Sequence, residues 1–218
     1  MTSMRDHERR WPASVAVLAA LGLQLILPTQ VSSPPRWLIP ALELTLLLPL
    51  VATNPVRLSK ETNLLRVFAL VLVAALAAAN VFHLVRLVVV LTSGAHVNPR
   101  LPLLAALLIW TTNVVTAALA LWEMDGGGPF ARDPRHHRPK RDRPDLLFPQ
   151  MTGVPGWDAA DWHPSFVDYL FVAFTASTAF SPTDTLPLSA RAKALTTGTA
   201  AVSLLTIAVV AARAVNAL

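Results

Sequence analysis

Residues 64–91 read LLRVFALVLVAALAAANVFHLVRLVVVL, and this stretch decides the fold class. No Pro or Gly interrupts it, and its strongly polar residues are only Arg66, Asn80, His83 and Arg86. A helix needs about 20 mostly apolar residues to cross a hydrocarbon core about 30 Å thick, and this run exceeds that length. It reads as a membrane-spanning helix, and the sequence on either side repeats the pattern.

Three more apolar runs of spanning length lie nearby: Trp11 to about Thr29, Trp37 to Thr53, and Leu101 to Trp122. Breakers separate them, at Pro28, Ser32-Ser33-Pro34-Pro35, Asn54-Pro55, Asn98-Pro99, Pro102 and Gly126-Gly127-Gly128-Pro129. The triple glycine is followed by no Lys-Ser/Thr and opens no expected helix, so it reads as a helix terminator and not as a phosphate loop. The first run lacks a small-x-small cleavage site between Gln24 and Gln30, and the next follows within about ten residues, so it is expected to stay in the mature chain.

Composition agrees with this reading. Hydrophobic residues make up 54% of the 218 positions, charged residues only 14%, and the mean hydropathy is +0.51. These values exclude a disordered chain or an ordinary soluble domain. Cysteine is absent, which removes disulfides, thiolate metal sites and cysteine nucleophiles. The net charge of +5 does not call for nucleic acid, because the Lys and Arg residues sit almost wholly between apolar runs, as in loops flanking membrane spans.

The segment Asp125 to His163 differs in kind, being rich in Arg, Asp and Pro, and reads as an extramembrane loop. Its first half, Arg132 to Asp145, is charge-dense and has no helical or strand period. Its second half, Leu146 to Trp162, carries Leu147, Phe148, Trp157 and Trp162, side chains suited to capping a bundle or lying at a headgroup boundary. His136-His137, and likewise Asp158, Asp161 and His163, fit solvated loop or helix-cap roles better than a metal site, so no metal or cofactor is expected. No Ser, His and Asp arrangement stands in a nucleophile context, and the chain reads as a non-enzyme.

Two apolar stretches close the sequence. Ser165 to Phe180 is short, interrupted by Asp168 and rich in Ser and Thr toward its end, which suits a re-entrant half-helix. Leu188 to Leu218 is long enough to cross with tilt. The expected fold is therefore an all-α polytopic membrane helix bundle with four N-terminal spans, a short re-entrant helix and a long final helix.

The run from Asp168 through Thr178-Ala179-Phe180-Ser181-Pro182-Thr183-Asp184, with Pro187 and Arg191-Ala-Lys193 behind it, resembles the pore module of two-helix potassium channels. In that family an aromatic-rich pore helix leads to a Thr-Thr-Val-Gly-Tyr-Gly-Asp filter, then a Pro, a basic patch and the pore-lining helix. Thr178 aligns with the first filter Thr, Asp184 with the Asp and Pro187 with the following Pro. The likeness covers Ser165 to Leu218, with the helix before the long loop in the outer-helix position.

The departures fall on the filter. Ala179 stands for the second Thr, Phe180 for Val, Ser181 and Thr183 for the two Gly, and Pro182 for Tyr. Carbonyls that turn inward at positive φ need Gly, whereas Ser and Thr meet a steric cost there and Pro fixes φ near −65°. The resemblance thus implies a channel-like scaffold that has lost the potassium cage.

On that reading residues 1–10 are a polar N-terminus and 11–91 a three-helix membrane region. Residues 101–218 form the pore-like module, with outer helix 101–124, loop 125–163, pore-like helix 165–180, filter-equivalent turn 178–184 and inner helix 188–218. The implied function is a weakly selective cation or small-solute pore in the cell membrane, assembled as a homotetramer around the last helix. The alternative is a non-conducting membrane scaffold or sensor whose partner binds loop 125–163.

Alternation of spans places the N-terminus, the 54–66 loop and the 125–163 loop on one side, with twelve of the eighteen Lys and Arg. Positive-inside counting makes that side cytoplasmic. The channel resemblance instead puts the mouth of the pore helix outside.

Within the spans, Asn80, His83 and Arg86 recur every third residue and share a helical face. Glu43 lies near the centre of the second run. A charge at mid-bilayer costs about 2.5–3.5 kcal/mol, so Glu43 is expected to meet a partner such as Arg86 or Asn113, or to serve a proton or cation pathway. Arg86 is close enough to its span's end to snorkel.

Overall fold

The computed structural model describes residues 10–32, 35–53, 63–93, 98, 100–132, 143–156, 162–178 and 184–215. Seven α-helices lie among them: α1 (Trp11–Ile26), α2 (Leu38–Thr53), α3 (Asn63–Thr92), α4 (Arg100–Met124), α5 (Pro129–Arg132), α6 (Phe166–Thr178) and α7 (Ala190–Val215). The fold is all-α. Its strands are β1 (Leu146–Leu147) and β2 (Leu186–Pro187), two residues each.

Proline sets several boundaries. Pro12 lies in the first turn of α1, where its missing N–H has no helical partner to lose. At the other end Leu27 precedes Pro28 and leaves the helix with ψ 137°, the extended conformation that a following proline favours. Arg36 then reaches back to the carbonyls of Leu25 and Leu27, which have no acceptor role left inside the helix.

Helix α3 (Asn63–Thr92), the stretch 100–127 containing α4, and α7 through Ala212 are long and apolar enough to cross a membrane. Helices α1 and α2, with 16 residues each, are shorter than the spans expected from sequence. Helix α4 is the hub, packed against α1, α3, α6 and α7. Its buried residues, among them Ala105, Ile109, Asn113, Ala117, Leu121 and Trp122, fall on all sides of the helix.

The helices alternate in direction. Arg10, Leu50, Ala69 and Glu123 surround one small cavity, so the start of α1, the end of α2, the start of α3 and the end of α4 meet at one end. Arg66 donates to the Gly127 carbonyl at that same end. Of the basic residues grouped by the sequence, Arg10, Arg66 and Arg132 are thus at one end, and Arg191 and Lys193 at the start of α7 join them.

Glycine is required where α4 stops. Gly126, Gly127 and Gly128 have φ of 57°, 86° and 97°, and a Cβ on Gly128 would come within 3.0 Å of Arg66 Nη1 and 3.1 Å of the Glu123 carbonyl. The triple glycine ends α4 as read from sequence, though the four-residue α5 follows it directly, and its backbone makes room for the Arg66 side chain from the start of α3.

Candidate functional site

Helix α6 and its two ends form the most distinctive local arrangement. Its first turn is fixed by Ser165, whose N–H and Oγ both lie 2.7 Å from Asp168 Oδ2, the carboxylate satisfying an N–H at the helix start. Phe166, Tyr169, Val172, Ala173 and Ser177 face the bundle, while Val167, Phe171 and Phe174 are exposed. Trp110, midway along α4, packs edge to face on Phe174 and donates to the Ser177 carbonyl at 3.4 Å. Helix α6 therefore runs antiparallel to α4 from its C-terminal end toward its middle. Its 13 residues rise about 20 Å, less than a hydrocarbon core.

The chain then comes back. β1, before α6, pairs antiparallel with β2, after it, in the register Leu146↔Pro187 and Leu147↔Leu186. The segment containing α6 thus enters the bundle and leaves it at the same end, where α7 begins.

A polar clasp holds this end closed. Asp125, 1% exposed, terminates α4; its Oδ1 accepts the N–H groups of Asp145 (2.7 Å) and Leu146 (3.2 Å), and its Oδ2 accepts the Tyr169 hydroxyl (2.6 Å). Asp145 in turn accepts a bidentate pair from Arg191 of α7, Nε at 2.6 Å and Nη2 at 2.7 Å, together with the Gly126 N–H at 3.2 Å. The Asp145 carbonyl takes the Leu188 N–H at 2.8 Å, and Ser189 Oγ caps α7 through the Ala192 N–H. Arg132 Nη1 donates to the Trp122 and Asp125 carbonyls, and the guanidinium lies 5.0 Å from the Tyr169 ring centroid. Phe148 packs on Tyr169 and Trp162, so these two loop aromatics meet the bundle, whereas Thr152 to Gly156 are exposed.

Burial pushes the Asp145 carboxyl up, but Arg191, Ser189 and the Gly126 N–H more than offset this, leaving it below its ordinary value of 3.8. A carboxyl whose pKa is lower folded than unfolded contributes stability above the unfolded value and loses it as pH falls through the folded one. Melting temperature in detergent is therefore expected to drop more steeply below about pH 4 for the wild type than for Asp145→Asn. Parallel curves would contradict this account.

The polar residues of the apolar helices divide into three places. Asn113 is a hub between α4 and α7, its Nδ2 donating to the Thr199 carbonyl (3.0 Å) and Ser203 Oγ (2.9 Å) while its Oδ1 meets Asn80 Nδ2 of α3 at 3.5 Å. His83 is buried one turn from Asn80, and its Nδ1 has no hydrogen-bond partner among the described residues. Arg86 is half-buried and donates to the Gln30 carbonyl at the far end. Glu43 pairs with neither Arg86 nor Asn113, correcting that expectation. Its partner is Gln24 of α1, which sequence reasoning passed over.

Of the filter-equivalent residues, Thr178 is half-buried at the end of α6 and Asp184 is exposed two residues before β2. Ala179, Phe180, Ser181, Pro182 and Thr183 lie outside the described residues, as do His136, His137, Trp157, Asp158 and Asp161. No group of three or more metal-binding side chains occurs among the described residues.

No family model, curated protein or solved structure matches the chain.

Proposed function

We propose that the chain is a multi-pass protein of the cell membrane in which α4, α6 and α7 make a re-entrant pore-loop unit. It passes cations or small solutes with little discrimination between potassium and sodium. The observation that carries this reading is the β1–β2 pairing, which returns the chain to the end where α6 entered. Non-helical backbone at membrane depth is tolerated where it is covered by protein or lines a water-filled space, and a turn beyond a half-helix is suited to the second. All four N-terminal helices cross; exposed Trp11 and Trp37, at opposite ends of the α1–α2 pair, serve as interfacial anchors for the two short ones.

Assembly around α7 as a tetramer would bring four copies of Asp184 together as an acidic ring at the mouth. Such a ring favours cations over anions by its field. With Ser181 and Thr183 in place of the filter glycines, ordered carbonyl selection of potassium is not expected.

Purified protein in liposomes is expected to pass potassium and sodium at similar rates, exclude chloride, and lose cation flux in Asp184→Asn. Strong preference for potassium would reject the argument from the missing glycines. No flux of any ion from folded, oligomeric protein would select the non-conducting scaffold instead.

A further inference from the structure

The Gln24–Glu43 pair lies in the α1–α2 hairpin, apart from α4, α6 and α7. Glu43 is 0% exposed. Both of its carboxylate oxygens face one donor, Gln24 Nε2, at 3.2 and 2.9 Å. Gln24 is itself 3% exposed, and its Oε1 is buried with no hydrogen-bond partner among the described residues. Two adjacent features therefore lack the same thing: a carboxylate without a countercharge and an amide oxygen without a donor.

The surrounding elements do not supply one. Helix α1 contains no charged residue, and α2 none besides Glu43. Arg10, before α1, lies at the other end of the bundle around the cavity with Glu123. On α3, the other helix packed against α2, Arg66 is bound to the Gly127 carbonyl and Arg86 to the Gln30 carbonyl, and Asn80 is turned to Asn113. His83 is the remaining titratable group of α3. Among the described residues no Lys, Arg or His lies within ion-pair distance of Glu43. A buried carboxylate is retained only where its charge is neutralised, and one neutral amide carries too little partial charge to do so.

We propose that Glu43 and Gln24 form a binding site for one small positive charge, a proton or an alkali cation, shared between the carboxylate and the unpartnered amide oxygen. Both candidates have the chemistry the site offers, a hard single charge taking oxygen lone pairs. Occupancy links the stability of the α1–α2 hairpin to the concentration of that ion. The site goes beyond the pore reading and does not depend on it, since flux through α4, α6 and α7 and ion-linked stability of α1 and α2 are read separately.

The test is the melting midpoint of the full-length chain in detergent, for wild type, Glu43→Gln, Gln24→Leu and His83→Gln. One titration varies pH above about 5, clear of the Asp145 transition, in sodium-free choline buffer. The other varies sodium at fixed pH, with choline holding ionic strength constant. A proton occupant makes the wild-type midpoint fall as pH rises and leaves it indifferent to sodium. An alkali cation makes it rise with sodium, more strongly at higher pH where protons compete less. In either case Glu43→Gln is expected to lose the response, His83→Gln to keep it, and Gln24→Leu to need at least about tenfold more of the ion. Parallel titrations of wild type and Glu43→Gln in both arms overturn the proposal. Should Glu43→Gln fail to fold, an unaltered response in Gln24→Leu does the same.

Discussion

Asp125→Ala is expected to lower unfolding stability by about 4 kcal/mol, because three donors lose their acceptor at once and each buried unsatisfied group costs about 1–3 kcal/mol. The Asp145 N–H, the Leu146 N–H and the Tyr169 hydroxyl all converge on this carboxylate, which is 1% exposed. For a chain of this size that loss corresponds to a fall in melting temperature of about 10 °C. Asp125→Asn keeps one carbonyl acceptor but turns an NH2 toward a donor, so an intermediate fall is expected. Thermal unfolding in detergent, followed by loss of a monodisperse gel-filtration peak, measures both. A change under about 1 kcal/mol for the alanine variant would mean that water replaces the carboxylate and that the clasp is not what holds α6.

Trp122→Ala is the second large effect, at about 3–5 kcal/mol, the range for truncating a buried aromatic. Trp122 is 1% exposed and meets Phe166 of α6 edge to face, with centroids 6.2 Å apart. It belongs to the core formed by Val17, Leu50, Leu72, Leu119 and Tyr169, so its removal opens a cavity where four helices and the start of α6 converge. Trp122→Phe should recover a large part of the loss. The control is Trp37→Ala, which removes an indole that is 60% exposed and is expected to change the midpoint little. Equal behaviour of Trp122→Ala and Trp37→Ala would remove the case for a packed junction at this end.

The helices could be located from the sequence because the signal was length and punctuation. Breakers at Pro28, Asn54-Pro55, Asn98-Pro99 and the triple glycine bracket α1 to α4 closely. The burial of Asn80 and Asn113 also follows from placing polar side chains in an apolar setting. What the sequence could not supply is rotation. Helix α2 is apolar nearly all round, so nothing in its pattern says whether Glu43 turns toward α1 or α3, and the expected partners Arg86 and Asn113 lie on helices other than that of Gln24. Gln24 gave little warning, since one amide in an apolar run looks like any tolerated polar residue.

The clasp was hidden for a different reason. Asp125, Asp145, Tyr169 and Arg191 are scattered over a long separation, and strands of two residues leave no alternation to detect. Arg191 did stand out, but as part of a basic patch by resemblance and not as the partner of Asp145. Tyr169 is the chain's one tyrosine, and only its placement beneath Asp125 gives that singularity meaning.

The β1–β2 pairing also fixes an order of assembly. Leu146 has to wait for Pro187, and Asp145 for Arg191, before either can make its contact, so the clasp cannot close on a nascent chain until the first turn of α7 has been made. The contacts of helices α1 to α4 with one another do not wait for α7, because all four have been synthesised once α4 is made. Until that moment α6 has its side-chain contacts with α4 but no anchor behind it. The half-helix is therefore the last element to be secured, and the final helix is what secures it.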